Sequence, residues 1–293
     1  MNWNDSPEAR GCANNGGLER NNMAERIVNI TENGHGASPE IRERLKNGLE
    51  ARGFVVPEAF DAQAELIICV GGDGALLNML AQYDFPQTPI VGVNTGHLGF
   101  FQELGVEEID EFIASYIVGK FTKQTYKTVF ADIVTDSERT RVKGLNEIAV
   151  RGGFSHAAHL DIYIGDSFVE KFCGDGILIA TAAGSTAYNY SLGGAIVDPR
   201  LDLIQVTPIA PINSTAYRSF TSGILLPPDL SLNIFPEYPK SDEMRIVADG
   251  TEMMFSGIRE ICAGFNREGV TLLRFKDYDF WNTVKRKLLR DGI

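Results

Sequence analysis

The segment VGGDGALLN places one carboxylate, Asp73, among glycines directly after an apolar run. Glycine lets a backbone approach a phosphate closely, and the start of a following helix offers N–H groups at its positive dipole end. A single carboxylate at such a place can orient an attacking hydroxyl or take its proton during phosphoryl transfer. The same residues are also typical of a tight turn, so this segment alone leaves both interpretations open.

The spacing of this segment excludes two better-known phosphate loops. Gly72 and Gly74 fit the start of a dinucleotide-binding fingerprint, but Leu77 occupies the position of its third glycine. The chain also contains no GxxxxGK[ST] pattern, so it has no P-loop. What remains is a strand, a glycine loop with one aspartate, and a helix. In parallel α/β sheets, ligands bind outside the carboxyl ends of such strands.

A second polar pair lies in LNEIAV, where Asn146 and Glu147 interrupt an otherwise apolar β-like run. An unpaired buried charge is costly, so a buried glutamate needs partners. One interpretation is a strand end at which both side chains meet solvent. The other is a pair that hydrogen-bonds the hydroxyls of a sugar, and the segment does not decide between them.

The third candidate site is the segment CGDGILIATAAGSTAYNYSLGGAIVDP, which is rich in small residues and contains two tyrosines. A flat heterocycle can lie over Tyr188 or Tyr190 while backbone groups of Thr186 and Ala187 meet its edge. Asp175, an acceptor when ionised, suits an exocyclic amino group such as that of adenine. A plain turn does not need this concentration of small residues beside aromatics. The segment therefore favours a binding site.

Composition limits the classes of function. The 293 residues are 44% hydrophobic and 23% charged, as in a globular protein with one large domain or two ordinary ones. A net charge of −12 argues against nucleic acid as a partner. No apolar run reaches membrane-spanning length and the start has no secretion signal, so we expect a cytoplasmic protein without membrane contact. The four cysteines lack a CxxC pair, which favours neither a zinc site nor disulfides.

The elements that would position these residues change character along the chain. Residues 1–24 are rich in Asn and Gly and predict a flexible tail. Residues 25–122 alternate buried strands with helices, which predicts an α/β domain with a parallel sheet carrying the GGDG loop. Residues 123–275 contain many short β-like runs, which predict an all-β sandwich. A final amphipathic helix at 276–293 completes the first domain, and its basic cluster is predicted to be a solvated face.

The order of the motifs GGDG, GHLGF, NE, GDG…GSTAYNYSLGG and VADG resembles that of the NAD kinase family. The likeness is greatest to the form of Gram-positive bacteria and covers nearly all of the chain after the tail. It implies a phosphofructokinase-like first domain, an NAD-binding β-sandwich, and transfer of a phosphoryl group from ATP or polyphosphate to the 2′-hydroxyl of the adenosine ribose of NAD. It further implies magnesium with ATP, no separate protein metal site, and a homodimer or homotetramer.

The resemblance also implies a role for each matching residue. Asp73 would be the catalytic carboxylate, Gly74 would let the loop approach the ligand, and Phe100 would line the pocket. Asn146 and Glu147 would bind ribose or nearby polar groups. The other residues implied to bind substrate are Asp175, Thr186, Ala187 and Tyr188 around adenine, Asn189 in the same segment, Ser191 near the nicotinamide end, Ala210 through its backbone, and Tyr217 from a neighbouring subunit.

Some positions depart from the family pattern. Ala75 follows the loop in place of a common Thr, Ala182 and Ala183 replace Pro and Ser or Thr, Cys173 replaces a basic residue, and Thr251 replaces a Gln. The alanines at positions 75 and 183 support one alternative, a dinucleotide-binding sensor with little or no turnover. A second alternative is a lipid or sugar kinase that shares the GGDG loop. Such a kinase would not need the adenine pocket.

Overall fold

The computed structural model describes residues 25–34, 36, 38–96, 99–154, 156–238, 243–276 and 278–289. The predicted tail, residues 1–24, lies outside the described residues. Among the residues described, no helix is both long and apolar enough to cross a membrane. The helices are α1 (Ser38–Glu50), α2 (Asp73–Gln82), α3 (Ile109–Ile117), α4 (Tyr188–Ser191) and α5 (Phe280–Leu288).

The strands belong to two sheets. They are β1 (Val28–Glu32), β2 (Leu66–Val70), β3 (Ile90–Val93), β4 (Thr122–Thr135), β5 (Arg139–Gly144), β6 (Glu147–Gly152), β7 (Ala158–Ile164), β8 (Ser167–Gly174), β9 (Gly176–Thr181), β10 (Ile204–Ile209), β11 (Ile224–Leu226), β12 (Leu232–Pro236), β13 (Glu243–Ala248), β14 (Thr251–Ser256) and β15 (Ile258–Arg274).

The first part of the chain forms the predicted parallel α/β layer. β1 pairs with β2 and β2 with β3, all parallel, and every residue of β2 and β3 is buried. Strands without polar alternation suit a sheet that is covered on both faces. Helices α1 and α3 pack on one face and α2 on the other. Because α2 begins right after β2, it starts at the carboxyl edge of the sheet, where ligands of α/β folds bind.

The larger sheet continues from this layer into the second half of the chain. Its order is β1-β2-β3-β15-β12-β7-β8, with β4 paired to β15 and β5 to β4. The junction is a parallel bridge between Leu272 of β15 and Ile90 of β3. β15 therefore ties the α/β layer and the β-rich part into one continuous sheet.

The smaller sheet has the order β11-β10-β9-β6-β13-β14 and is antiparallel throughout its described pairs. Alternate residues of its strands, such as Ile148, Ile177 and Ile246, pack against Val129 and Ile261 of the larger sheet. Two sheets with a shared apolar core form the predicted sandwich, so the fold class is confirmed.

The last helix is shorter than the sequence predicts. It covers Phe280–Leu288 rather than residues 276–293, because the Asp279 carboxylate caps its start by accepting the Asn282 N–H at 3.0 Å. Residues 290–293 lie outside the described part of the chain. Buried Phe280 and Val284 seat the helix beside the carboxyl edge of the α/β layer.

Candidate active site

The Asp73 carboxylate is held at the first residue of α2 by two backbone donors. The Phe100 N–H donates to Oδ2 at 2.8 Å, and the Phe101 N–H donates to Oδ1 at 3.1 Å. Gly99 makes this approach possible, since a Cβ there would lie 2.6 Å from Asp73 Cγ. The side chain remains 25% exposed. The GGDG and GHLGF motifs are therefore two halves of one arrangement that aims a carboxylate toward solvent.

The end of the chain fixes the loop that holds Asp73. The Arg274 guanidinium, at the end of β15, is 3% exposed and donates to the Phe101 carbonyl at 3.2 Å. Glu103 pairs with Arg274 at 3.4 Å, and the Tyr278 hydroxyl donates to the Phe100 carbonyl at 3.2 Å. A buried charge pair with further hydrogen bonds is geometrically restrictive. The position of Asp73 thus depends on contacts between the loop around Phe100 and residues near the end of the chain.

A cavity of about 350 Å³ brings several predicted site residues together. Asp73 and Phe100 form one wall, from the α/β layer. The opposite wall comes from the sandwich and contains Asn146, Thr186 and Ala187. The remaining lining residues are Phe101, Ala183, Lys287 and Leu288. The structure thus places the glycine loop and the GSTAY segment on the two sides of a single cavity.

Asp249, in the VADG segment, positions the start of β6. Its carboxylate accepts the N–H groups of Leu145, Asn146 and Glu147 at 2.6, 2.8 and 3.1 Å. Asp249 itself adopts a left-handed conformation with φ of 48°. The resemblance includes the VADG motif but implies no separate role for Asp249. The structure assigns it to holding the Asn146 and Glu147 backbone beside the cavity.

Glu147 is partly buried, and its carboxyl group has no partner of opposite charge among the described residues. Burial, the larger cause, and the nearby Asp249 carboxylate together raise the pKa of Glu147 to about 8. The Tyr188 N–H opposes this shift by donating to Glu147. Burial likewise raises the pKa of Asp249, against the effect of the three N–H groups. Glu147 Oε2 has no hydrogen-bond partner among the described residues. A ligand hydroxyl would satisfy this atom.

The raised pKa of Glu147 predicts a specific pH dependence of stability. The unfolded carboxyl ionises near pH 4.3, whereas the folded one keeps its proton up to about pH 8. Between these values the folded state binds more protons, so the free energy of unfolding falls as the pH rises. Glu147→Gln removes this contribution. We expect the free energy of unfolding of the variant, minus that of the unmodified protein, to increase as the pH rises. The increase is at most about 1.4 kcal/mol per pH unit.

Urea titrations of both proteins at pH 5, 6, 7 and 8 measure this difference. Glu252→Gln, a change at an exposed residue of β14, is the matched control. Parallel stability profiles for the protein and its Glu147→Gln variant would show that the Glu147 carboxyl is ionised in the folded state.

The small residues of the AAGSTAY segment make space for close backbone contact. A Cβ on Gly184 would lie 2.5 Å from the Asn146 carbonyl carbon. The Thr181 hydroxyl donates to the Leu145 carbonyl at 2.6 Å and accepts the Gly184 N–H at 3.0 Å. Residues 183–186 form a single 3₁₀ turn that brings Thr186 and Ala187 to the cavity.

The residues of α4 divide into different roles. Tyr188 is half-buried against the outer face of the smaller sheet, and Ser191 is exposed. Asn189 is 0% exposed, accepts the Thr207 hydroxyl at 2.7 Å and donates to the Ala195 carbonyl at 3.3 Å. Its side chain therefore has no surface for a ligand in this chain. These contacts indicate a positioning role, and the predicted contact of Asn189 with substrate stays a prediction.

Asp175, Ala210 and Tyr217 are not brought to this cavity within one chain. β9 runs from Gly176 to Thr181, so Asp175 lies about 20 Å from the cavity end of that strand. The Asp175 N–H donates to the Ile209 carbonyl, which places Ala210 beside it. Tyr217 donates its hydroxyl to Glu237 in the same region. These three residues form a second group, at the far end of the sandwich.

Comparison with known families identifies the architecture. The ATP-NAD kinase N-terminal domain matches residues 18–121, and the ATP-NAD kinase C-terminal domain matches residues 145–264. The chain belongs to the ATP-NAD kinase family. An NAD kinase of Finegoldia magna is 36% identical over 276 residues, covering 92% of this chain and 100% of the relative. An NAD kinase of Lactobacillus helveticus is 32% identical over 268 residues, covering 90% and 96%.

Two solved structures share the fold of this ATP-NAD kinase family member. Yeast NADH kinase complexed with NADH superposes with a TM-score of 0.77 at 22% identity, over 92% of this chain and 89% of the other. The NAD kinase from Archaeoglobus fulgidus in complex with ATP gives a TM-score of 0.69 at 22% identity, over 89% and 98%.

One feature of this family member differs from the sequence-based expectation. The basic cluster at the end of α5 was predicted to be a solvated face, yet Lys287 lines the cavity that contains Asp73. Lys285, on the same helix, is exposed and makes no ion pair or side-chain hydrogen bond with a described residue, which fits the prediction. The two lysines differ because α5 packs with Lys287, and not Lys285, beside the cavity. The sequence does not show how α5 packs.

Proposed function

We propose that the protein is an NAD kinase, which transfers the γ-phosphoryl group of ATP to the 2′-hydroxyl of the adenosine ribose of NAD and releases NADP. The observation that carries this proposal is the Asp73 carboxylate, fixed by two N–H groups and facing the wall formed by Asn146, Thr186 and Ala187. In this arrangement a nucleoside bound by the sandwich presents its ribose to a carboxylate at a helix start.

In the proposed reaction, Asp73 orients the 2′-hydroxyl and receives its proton. The hydroxyl oxygen forms a bond with the γ-phosphorus while the bond from that phosphorus to the departing ADP breaks. Because the transition state of phosphoryl transfer is loose, orientation contributes more than full deprotonation. The space beside Gly74 is open, since a Cβ there would meet no atom within 4 Å. This space lets the donor approach the backbone closely.

The remaining proposed contacts come from the sandwich wall of the cavity and from residues that follow it in the chain. Asn146 and Glu147 bind ribose hydroxyls, and the unpartnered Glu147 Oε2 is one acceptor. Backbone groups of Thr186 and Ala187, with the Tyr188 ring, hold adenine. Ser191 lies further along α4, toward the nicotinamide end.

ATP is the proposed donor, and the Archaeoglobus relative bound to ATP supports this choice. The start of α2 offers free N–H groups for phosphates, as Gly72 has no side chain that caps them. In the described part of the chain, no group of three or more His, Cys, Asp or Glu side chains is arranged to hold a metal. Magnesium would accordingly enter on the phosphates of ATP. Polyphosphate is the alternative donor.

We also propose that the protein works as a homodimer or homotetramer in the cytoplasm. Asp175, Ala210 and Tyr217 would complete the NAD site of the partner subunit. Ala210 adopts a left-handed backbone with φ of 45°, which is rare for alanine and frequent at functional sites. Exposed apolar side chains of the sandwich offer an interface, and Cys69, Cys173 and Cys262 are free thiols, as suits a reducing compartment. The apolar side chains are Tyr190, Ile212, Phe220, Leu225 and Met254.

The decisive experiment incubates the purified protein with NAD, magnesium and either ATP or polyphosphate, and measures NADP with an NADP-specific dehydrogenase. We expect NADP with ATP. NADP formed only with polyphosphate would change the donor. NAD binding in calorimetry without NADP formation would favour the sensor, and no NAD binding would favour a kinase of another hydroxyl.

Gly99→Ala tests the link between the two loops. Its Cβ would overlap the Asp73 carboxylate, so that side chain must move, and a misplacement of about 1 Å lowers turnover by roughly 10²-fold. Gly96→Ala, at which a Cβ meets nothing within 4 Å, is the matched control. Steady-state NADP formation by both variants measures the effect. Equal turnover of the two variants would mean that Asp73 does not depend on this close approach.

A further inference from the structure

Lys287 is the cationic group of the cavity that contains Asp73. Its Nζ lies 3.6 Å from Asp73 Oδ2 and 4.8 Å from the centre of the Phe100 ring. The side chain is 29% exposed. Among the described residues that line the cavity, Lys287 alone carries a positive charge.

The Lys287 ammonium has donors to spare for a ligand. A charged N–H···O hydrogen bond is about 2.7–2.9 Å long, so the separation from Asp73 is an ion pair without a close hydrogen bond. No other described residue accepts a hydrogen bond from this ammonium. Asp73 is already stabilised by the Phe100 and Phe101 N–H groups and does not need Lys287 for that purpose. The Phe100 ring holds the ammonium over the cavity by a cation–π contact.

The proposed reaction brings negative charge into this cavity, where a cation of the protein would stabilise it. A phosphoryl group in transfer carries negative charge on its three equatorial oxygens, and Asp73 places another negative charge beside it. The protein as a whole has a net charge of −12, so its general field offers no compensation. A lysine in a partly enclosed cavity supplies this compensation at short range.

We propose that Lys287 binds the phosphoryl group during its transfer, an inference that rests on the proposed kinase function. The Lys287 ammonium donates to equatorial oxygens of the γ-phosphoryl group as the 2′-oxygen bonds to phosphorus and the bond to ADP breaks. Its positive charge thereby reduces the repulsion between the phosphoryl group and the Asp73 carboxylate. The last turn of α5 thus forms part of the phosphoryl-transfer site.

The test compares Lys287→Met, which keeps the length of the side chain but removes its charge, with Lys287→Arg. Lys285→Met, on the same helix but outside the cavity, is the matched control. We expect Lys287→Met to lower kcat by about 10²- to 10³-fold, the range typical for loss of one donor to a transition state. The Kd of NAD should change less than about threefold, and Lys287→Arg should recover most of kcat. Lys285→Met should equal the unmodified protein.

Calorimetric titration with magnesium ATP in the absence of NAD separates this inference from the proposed function. We expect weaker ATP binding by Lys287→Met and unchanged binding by Lys285→Met. If the unmodified protein makes no NADP but shows this difference, the proposed function fails and the phosphate contact of Lys287 stands.

Three results would overturn the assignment of Lys287. The first is a kcat and ATP affinity of Lys287→Met within twofold of the unmodified protein. The second is an equal loss in Lys285→Met, which would indicate general damage to α5. The third is a weaker affinity for NAD with unchanged kcat, which would place Lys287 on the pyrophosphate of NAD instead.

Discussion

Asp73→Asn is expected to lower kcat by about 10²- to 10⁴-fold, the range typical for loss of a general base. The substitution keeps the shape of the side chain but removes its charge and its ability to take a proton. It also turns one acceptor into an NH₂ group, which then faces a backbone N–H of Phe100 or Phe101. NAD binding should remain within a few-fold, because the proposed nucleoside contacts, Asn146, Thr186 and Ala187, lie on the opposite wall.

Steady-state NADP formation measures this loss, and calorimetry with NAD measures the retained binding. Asp229→Asn is a matched control, since Asp229 is exposed and has no side-chain partner among the described residues. Near-normal turnover of Asp73→Asn would remove the catalytic role of Asp73. A loss of NAD binding equal to the loss of kcat would instead make Asp73 a substrate-binding residue only.

Local sequence signals predicted the elements that carry the glycine loop. The apolar run before Gly71 became the fully buried β2, and the residues after Gly72 became α2, as hydrophobic length and loop composition indicate. Ser and Pro are typical of a helix start, and α1 begins at Ser38, directly before Pro39. These features depend on neighbouring residues, so the sequence contains them directly.

Features that join distant segments could not be predicted in the same way. The bridge between Leu272 and Ile90 merges both halves into one sheet, yet neither residue differs from an ordinary apolar strand residue. Asp249 binds backbone donors about a hundred positions away, and its motif did not reveal this partner. Lys287 had the pattern of a solvated face, because its role depends on where α5 docks. Such contacts follow from tertiary packing rather than from local propensity.

The division of predicted ligands into two groups has a testable consequence for subunit cooperation. Asp73 lies at the cavity, whereas Asp175 lies at the opposite end of β9. If the site combines Asp73 of one subunit with Asp175 of the partner subunit, Asp73→Asn and Asp175→Ala each inactivate both sites of their own homodimer. In a mixed dimer, one site contains both substitutions and the other contains neither. Co-expression of the two variants should therefore restore activity.

The expected recovery is about one quarter of the normal specific activity, because random pairing makes half of the dimers mixed and each has one intact site. Purification through two different affinity tags isolates the mixed dimer, which should then show about half of the normal activity. The double variant Asp73→Asn/Asp175→Ala, co-expressed with the unmodified chain and purified through the same two tags, is the control: its mixed dimer has no intact site. A half-active purified control dimer beside an inactive complementary dimer would mean that each active site is built from one chain alone.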